Sequence, residues 1–122
     1  MTSVLVVEDD ADIRDLLTTI LATAVDEVLS CIDGQEALEL AASRQLDLVV
    51  LDLALPGGLS GLDVLTRLRA SCNRAKTMLL TAYAGADDRA AALAAGADAF
   101  VAKPFKITEL VEQVRILTAV VA

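Results

Sequence analysis

A chain of 122 residues, 56% hydrophobic but with only three aromatic residues, is expected to form one domain, residues 1–122, with an aliphatic core. Its net charge of −8, without a basic stripe, argues against binding of nucleic acid by this domain alone, because phosphate contacts supply most of such affinity. The chain has no histidine, and Cys31 and Cys72 lack the spacing of metal ligands. No apolar run approaches the roughly 20 residues of a membrane span. We therefore expect a cytoplasmic protein with reduced thiols and no membrane partner.

Short apolar runs alternate with amphipathic stretches along the whole chain. An unbroken short apolar run predicts a strand buried on both faces, and apolar residues at i, i+3, i+4 and i+7 predict a helix. The predicted elements are, in order, a strand at 3–7, a helix from residue 12, a strand at 27–31, a helix up to residue 44, a strand at 48–51, a helix after residue 60, a strand at 77–80, a helix at 87–95, a strand at 99–102 and a helix from residue 108. This alternation predicts an α/β fold, a doubly wound five-stranded parallel sheet with helices on both faces.

Helix boundaries are marked by residues that satisfy free backbone groups. The predicted caps and stops are Asp10 or Asp12 for the first helix, Asp33 with Glu36 as a capping box for the second, Ser60 for the third and Gly96 at the end of the alanine-rich fourth.

Polar side chains interrupt the apolar runs where predicted strands end. Glu8 and Asp9 follow the first strand, Asp52 the central one, and Thr81 and Lys103 the last two. Because the carboxyl ends of parallel strands share one edge, these groups can converge in one pocket. Three carboxylates within a few ångströms need positive partners, which Lys103 and a bound Mg²⁺ could provide. The pattern predicts a site for phosphoryl transfer, in which the carboxylate of Asp52 can act as acceptor.

This constellation resembles, over the whole chain, the receiver domain of two-component response regulators. The matching segments are Val6-Val7-Glu8-Asp9-Asp10, Leu51-Asp52-Leu53 with Pro56, Thr81-Ala82, and Lys103-Pro104-Phe105. The resemblance implies the flavodoxin-like fold with strand order 2-1-3-4-5, and a cis bond between Lys103 and Pro104 that aims the lysine inward.

The resemblance also implies a role for each site residue. Asp52 would be phosphorylated by a histidine kinase or phosphotransfer protein. The implied Mg²⁺ ligands are Asp9 directly, Glu8 through water, Asp52, and the carbonyl of Ala54. The implied phosphoryl contacts are Thr81, Lys103 and the backbone of Ala82. The implied switch aromatic is Phe100, which turns inward when Thr81 moves. The domain would then be a switch rather than an enzyme, catalysing only its own phosphorylation and slow dephosphorylation.

Two departures from the family pattern stand beside the site. The loop between Asp52 and Gly61 is one residue longer than usual, through the extra glycine of Gly57-Gly58. Ala54 and Tyr83 occupy the variable positions that tune the lifetime of the phosphoryl group; alanine cannot orient water and tyrosine can shield the group, so we predict slow hydrolysis.

Other readings are open at this point. A haloacid-dehalogenase-like phosphatase needs a second acid two residues after its nucleophile, where Ala54 stands. A degenerate receiver that only recruits partners is disfavoured by the intact acids, Thr81 and Lys103. Phe100 could be a core aromatic, and Glu8-Asp9-Asp10 a solvated helix cap.

The output of the domain is less defined by the sequence. Signalling is expected to act on an effector protein, or on a C-terminal output domain, through the surface of the last two strands and helices. Ile116 and Val120 are surplus to the core face of the last helix, which indicates either a homodimer contact or a frayed helix end. Met1, two residues before the first strand, suggests a natural start.

Overall fold

The computed structural model describes residues 1–71, 73–82 and 85–119, which form one parallel sheet with helices on both faces. The sheet has the order β2-β1-β3-β4-β5, as the resemblance implied. The elements are β1 (Ser3–Val7), α1 (Ala11–Leu21), β2 (Glu27–Cys31), α2 (Gly34–Ser43), β3 (Leu48–Leu51), α3 (Gly61–Ala70), β4 (Lys76–Thr81), α4 (Ala86–Ala94), β5 (Ala99–Ala102) and α5 (Ile107–Leu117).

Alternate residues of each central strand belong to different cores, because successive side chains of a strand point to opposite faces of the sheet. This explains why β3 is apolar at every position and β1 is apolar at every position after Ser3. One core combines Leu5, Val7, Val49, Leu51 and Leu79 with residues of α2, α3 and α4 such as Ala37, Val64 and Ala92. The other combines Val4, Val6, Leu48, Val50, Met78 and Leu80 with Leu17 and Leu21 of α1 and Leu110 and Val114 of α5.

The helix caps follow the sequence closely. Asp10, and not Asp12, caps α1, because its carboxylate accepts hydrogen bonds from the backbone N–H groups of Asp12 and Ile13 at 2.9 and 3.1 Å. The carboxylate of Asp33 accepts from the N–H of Glu36 in the same way, but among the hydrogen bonds of the described residues the return bond from the Glu36 side chain is missing, so the capping box predicted there is only half formed. The remaining boundary features are the capping box of Ser60 and Asp63 at the start of α3 and the positive φ of Gly96 after α4.

Register places the carboxyl ends of the strands at one edge of the sheet. Val7 lies opposite both Cys31 of β2 and Leu51 of β3, and Thr81 lies opposite Ala102 of β5. Thr81 is therefore the last residue of β4 rather than the residue after it. The end of each strand, and whatever follows it, faces the same cleft.

The structure describes some of the residues named in the sequence predictions and not others. Cys72, Tyr83 and Val120 lie outside the described residues. Ile116 is 56% exposed on α5, in agreement with its exclusion from the core face. None of the described helices has both the length and the apolar character that crossing a membrane requires.

Candidate functional site

An ion-paired triad lies at the carboxyl edge of the sheet. The ammonium of Lys103 donates to Oδ2 of Asp52 at 2.8 Å and to Oε2 of Glu8 at 3.3 Å. The three side chains keep only 15%, 10% and 4% of their surface exposed, in the order Lys103, Asp52, Glu8. Charges this buried are tolerated when they are paired and hydrogen-bonded, which this arrangement provides.

Asp52 is held by its own loop. Its Oδ1 accepts a hydrogen bond from the N–H of Ala54 at 3.0 Å, so each carboxylate oxygen has a different donor. Its backbone N–H continues the sheet by donating to the carbonyl of Val7 at 3.4 Å. The carboxylate is therefore oriented from both sides before any ligand arrives.

Gly61 sets the path of the chain after the acceptor strand. Its N–H donates to the carbonyl of Leu53 at 2.9 Å, and a Cβ at this position would overlap the carbonyl oxygen of Asp52. The first residue of α3 thus lies directly against the peptide of Asp52, an approach that only glycine permits. In contrast, Gly57 and Gly58 have positive φ angles of 85° and 92°, and a Cβ on either would have no neighbour within 4 Å.

Lys103 is anchored through its backbone to the neighbouring strand. Its N–H donates to the carbonyl of Thr81 at 2.8 Å, which extends the pairing of β5 with β4 by one residue. The Lys103–Pro104 bond is cis, as expected, and the lysine side chain points at the two acids. Thr81 is fully buried, while Ala82, directly after it, is exposed.

The triad sets two acids against one ammonium. Burial raises the pKa of the Glu8 carboxyl; the ammonium of Lys103 opposes this rise and the charge of Asp52 adds to it. Burial alone would lower the pKa of Lys103, but its hydrogen bonds and ion pairs with Asp52 and Glu8 outweigh burial and raise that pKa. Lys103 is thus charged at neutral pH, and its single charge can balance only one of the two carboxylates.

The expected cluster of three carboxylates is not seen. Asp9 is exposed while Glu8 is buried. Within 1–71, 73–82 and 85–119, no three Asp, Glu or Cys side chains lie close enough together to hold a metal ion by themselves. The donor chemistry still fits Mg²⁺, which is commonly bound by one or two carboxylates and keeps several waters.

Phe100 lies away from the ionic triad. It pairs with Leu79 across the sheet, is partly buried, and packs against the core beneath α2, α3 and α4. The guanidinium of Arg89 on α4 lies 5.7 Å from the centre of its ring, a cation–π distance. The aromatic ring therefore joins β5 to α4 and does not line the acidic cleft.

Arg14 also contacts the site, although no sequence motif predicted it. Its Nη1 donates to the carbonyl oxygen of Glu8 at 3.0 Å and lies 3.5 Å from that of Asp9. Its position four residues after the cap of α1 was the available signal, since helical side chains lean back toward the first turn.

The comparisons with known proteins agree with this fold and show the family of the chain. The family model described as "Response regulator receiver domain" matches residues 4–115, so the chain belongs to the response regulator receiver domains, the phosphoacceptor domains of two-component signalling. Over 114 residues the chain is 43% identical to the transcriptional regulatory protein PrrA of Mycobacterium tuberculosis, covering 93% of this chain and 48% of that protein. The chain spans about half the length of the curated relatives it matches.

Solved receiver domains have the same architecture. The receiver domain of Francisella response regulator 1452 superimposes with a TM-score of 0.89 at 30% identity, covering 97% of both chains. The receiver domain of the sensor histidine kinase PA1611 from Pseudomonas aeruginosa superimposes with a TM-score of 0.87 at 30% identity, covering 98% of both chains; that structure is described with a magnesium ion coordinated in its active site cleft.

Proposed function

We propose that this domain is a phosphorylation switch in which Asp52 accepts a phosphoryl group from a histidine kinase or a phosphotransfer protein. The observation that carries the proposal is the contact of Lys103 with Asp52 at 2.8 Å, in a cleft where Glu8 is also buried. Membership of the receiver family supports the general role, and the geometry supports the choice of this carboxylate.

The transfer needs only a nucleophile and oriented donors from this chain. An oxygen of the Asp52 carboxylate forms the new bond to phosphorus while the P–N bond of the phosphohistidine breaks, and the imidazole nitrogen keeps the electron pair. The histidine comes from the partner, since this chain has none. The N–H of Ala54 holds one Asp52 oxygen in place, and the ammonium of Lys103 follows the negative charge onto the phosphoryl oxygens.

Mg²⁺ is the proposed cofactor. Glu8, Asp9, Asp52 and the carbonyl of Ala54 would hold it, with water completing the coordination. When bound, Mg²⁺ would offset the unbalanced negative charge of the triad and the charge of the phosphoryl oxygens. Lys103 alone cannot provide this, because its single charge is already shared between Glu8 and Asp52.

The switch is proposed to run from the site to the surface of β4, α4, β5 and α5. The hydroxyl of Thr81 and the backbone N–H of Ala82 would contact phosphoryl oxygens, and Phe100 would turn inward when Thr81 moves. The hydrogen bond from Lys103 to the carbonyl of Thr81 supports this route, because it ties the ends of β4 and β5 directly to the ionic triad.

The proposed recipient is an effector protein or a C-terminal output domain. The chain covers 48% of PrrA, which is named a transcriptional regulatory protein, and this supports an output segment outside the matched region. A homodimer through α5 is a further proposal, supported by the exposed side chains of Ile107 and Ile116. Neither recipient requires this domain to bind nucleic acid.

Incubation with Mg²⁺ and acetyl phosphate tests the proposal. We expect phosphate to be retained on the peptide that contains Asp52, to require Mg²⁺, and to disappear in D52N, which removes the charge while keeping the shape. Rapid multiple turnover would instead indicate a hydrolase, and no labelling would indicate an inert recruiting module. Labelling that persists in D52N would mean that another carboxylate is the acceptor.

A further inference from the structure

The acidic residues after β1 have three different environments. Asp10 caps α1 through its carboxylate, Glu8 is buried beside Lys103, and Asp9 is exposed. The chain must therefore turn sharply between residues 8 and 10, and the direction of each acid depends on how the peptide groups of this turn are held.

Sheet pairing holds only the first part of this turn. The N–H of Glu8 donates to the carbonyl of Cys31 at 3.1 Å, as a continuation of the pairing between β1 and β2. The carbonyls of Glu8 and Asp9 extend beyond the sheet edge, and both accept from the guanidinium of Arg14, at 3.0 and 3.5 Å. One nitrogen of Arg14 thus reaches two successive peptide groups.

The guanidinium acts on the backbone rather than on the carboxylates. Across the described ranges of the chain, the salt bridges involve Arg44, Arg69 and Lys103 but not Arg14. A cationic nitrogen that donates to two successive carbonyls restrains the peptides on either side of Asp9. Together with the sheet bond of the Glu8 N–H, this restrains the backbone that carries the buried side chain of Glu8 and the exposed side chain of Asp9.

We propose that Arg14 is a positioning residue for the proposed Mg²⁺ site, holding the backbone of Glu8 and Asp9 so that their carboxylates face one metal position. The inference rests on the proposed function. Groups that orient metal ligands commonly change metal affinity by about 10- to 100-fold when they are replaced. A merely electrostatic role for Arg14 predicts the opposite sign, because removing a nearby positive charge should favour binding of a cation.

Titration of the ¹⁵N-labelled protein with MgCl₂, followed by amide NMR shifts, separates these two roles without measuring phosphorylation. We expect R14M to bind Mg²⁺ about tenfold more weakly than wild type. Before any metal is added, the amide shifts of residues 8–10 should already differ. R67M is the matched control: it removes the same charge from an exposed position in the last turn of α3 and should bind Mg²⁺ like wild type.

The outcomes are distinct. Equal or tighter binding by R14M, in a wild type that does bind Mg²⁺, overturns the inference and leaves the proposed function standing. A wild type without Mg²⁺-dependent shifts overturns the Mg²⁺ part of the proposed function and the inference with it. If R14M loses its dispersed spectrum, R14Q decides, since it keeps a polar amide but removes the charge and is two atoms too short to reach both carbonyls: weaker binding than wild type supports the inference, and equal or tighter binding overturns it.

Discussion

Replacement of Lys103 by methionine is the most direct test of the ionic triad. The substitution keeps a long apolar stem but leaves Glu8 and Asp52 facing each other without a cation. With an effective dielectric constant of about 20, Coulomb's law gives about 6 kcal/mol for the 2.8 Å contact and about 5 kcal/mol for the 3.3 Å contact. Much of this attraction offsets the cost of burying the charges, and removing one partner of a buried pair costs a net 3–5 kcal/mol, roughly.

We expect K103M to lose about 3 kcal/mol of unfolding free energy, the lower end of this range. The reason is that the lysine side chain retains 15% exposure, so water can enter its place. An unfolding entropy of about 2.1 cal/mol/K per residue converts this, over 122 residues, to a decrease in Tm of about 12 °C. The assay is thermal unfolding without divalent cations at pH 7. K106M, which removes the same charge from an exposed position, should stay within about 0.5 kcal/mol of wild type.

At acidic pH the difference in unfolding free energy between K103M and wild type should become smaller. The pKa of Glu8 is raised in the folded protein, so its ionised form is a cost at neutral pH that disappears as pH falls through that pKa. Once protonated, Glu8 no longer repels Asp52, and the missing ammonium matters less. Mg²⁺ should likewise stabilise K103M more than wild type. A K103M protein as stable as K106M at pH 7 without Mg²⁺ would refute this account of the triad.

Three further predictions concern residues around the site. With Ala54 unable to orient water, the phosphorylated protein should lose phosphate over minutes or longer, and a lifetime of seconds measured on purified protein would contradict this. Burial raises the pKa of Cys31 to about 12, so about one thiol in ten thousand is ionised at pH 8; iodoacetamide should label its peptide in urea but not in the native protein. In urea unfolding, G61A should lower the free energy of unfolding by about 3 kcal/mol, since its Cβ overlaps the backbone of Asp52. G57A is strained only by its positive φ and should lower it by about 1 kcal/mol. Equal losses in the two glycine variants would show that the contact with Asp52 is unimportant.

In the proposed switch, the triad is the link between Asp52 and the ends of β4 and β5. Lys103 contacts Asp52 through its side chain and Thr81 through its backbone. A phosphoryl group on Asp52 would add negative charge beside the ammonium, and any shift of Lys103 would be carried to the ends of β4 and β5. Phe100 lies on the same strand, two residues before its end, and packs between the core and Arg89.

Local patterns predicted the order of the elements and the edge of the sheet where the acids lie. Apolar runs too short for helices had to be strands, and parallel strands with buried faces share one edge at their carboxyl ends. Element boundaries were less accurate, since pairing of Thr81 with Ala102 extends β4 beyond its apolar run. Caps such as Ser60 were predicted because they depend on neighbours within three residues, although the return bond from Asp63 was not anticipated.

Only the tertiary structure decided the environments of Glu8 and Asp9. The cap role of Asp10 depends on residues 12 and 13 and was open to prediction. Glu8 and Asp9 are consecutive and chemically alike, yet Glu8 is buried beside Lys103 and Asp9 is exposed. Sequence spacing cannot distinguish them, because the partner of the Glu8 carboxylate, Lys103, lies 95 residues away along the chain and comes within reach only once the sheet has formed.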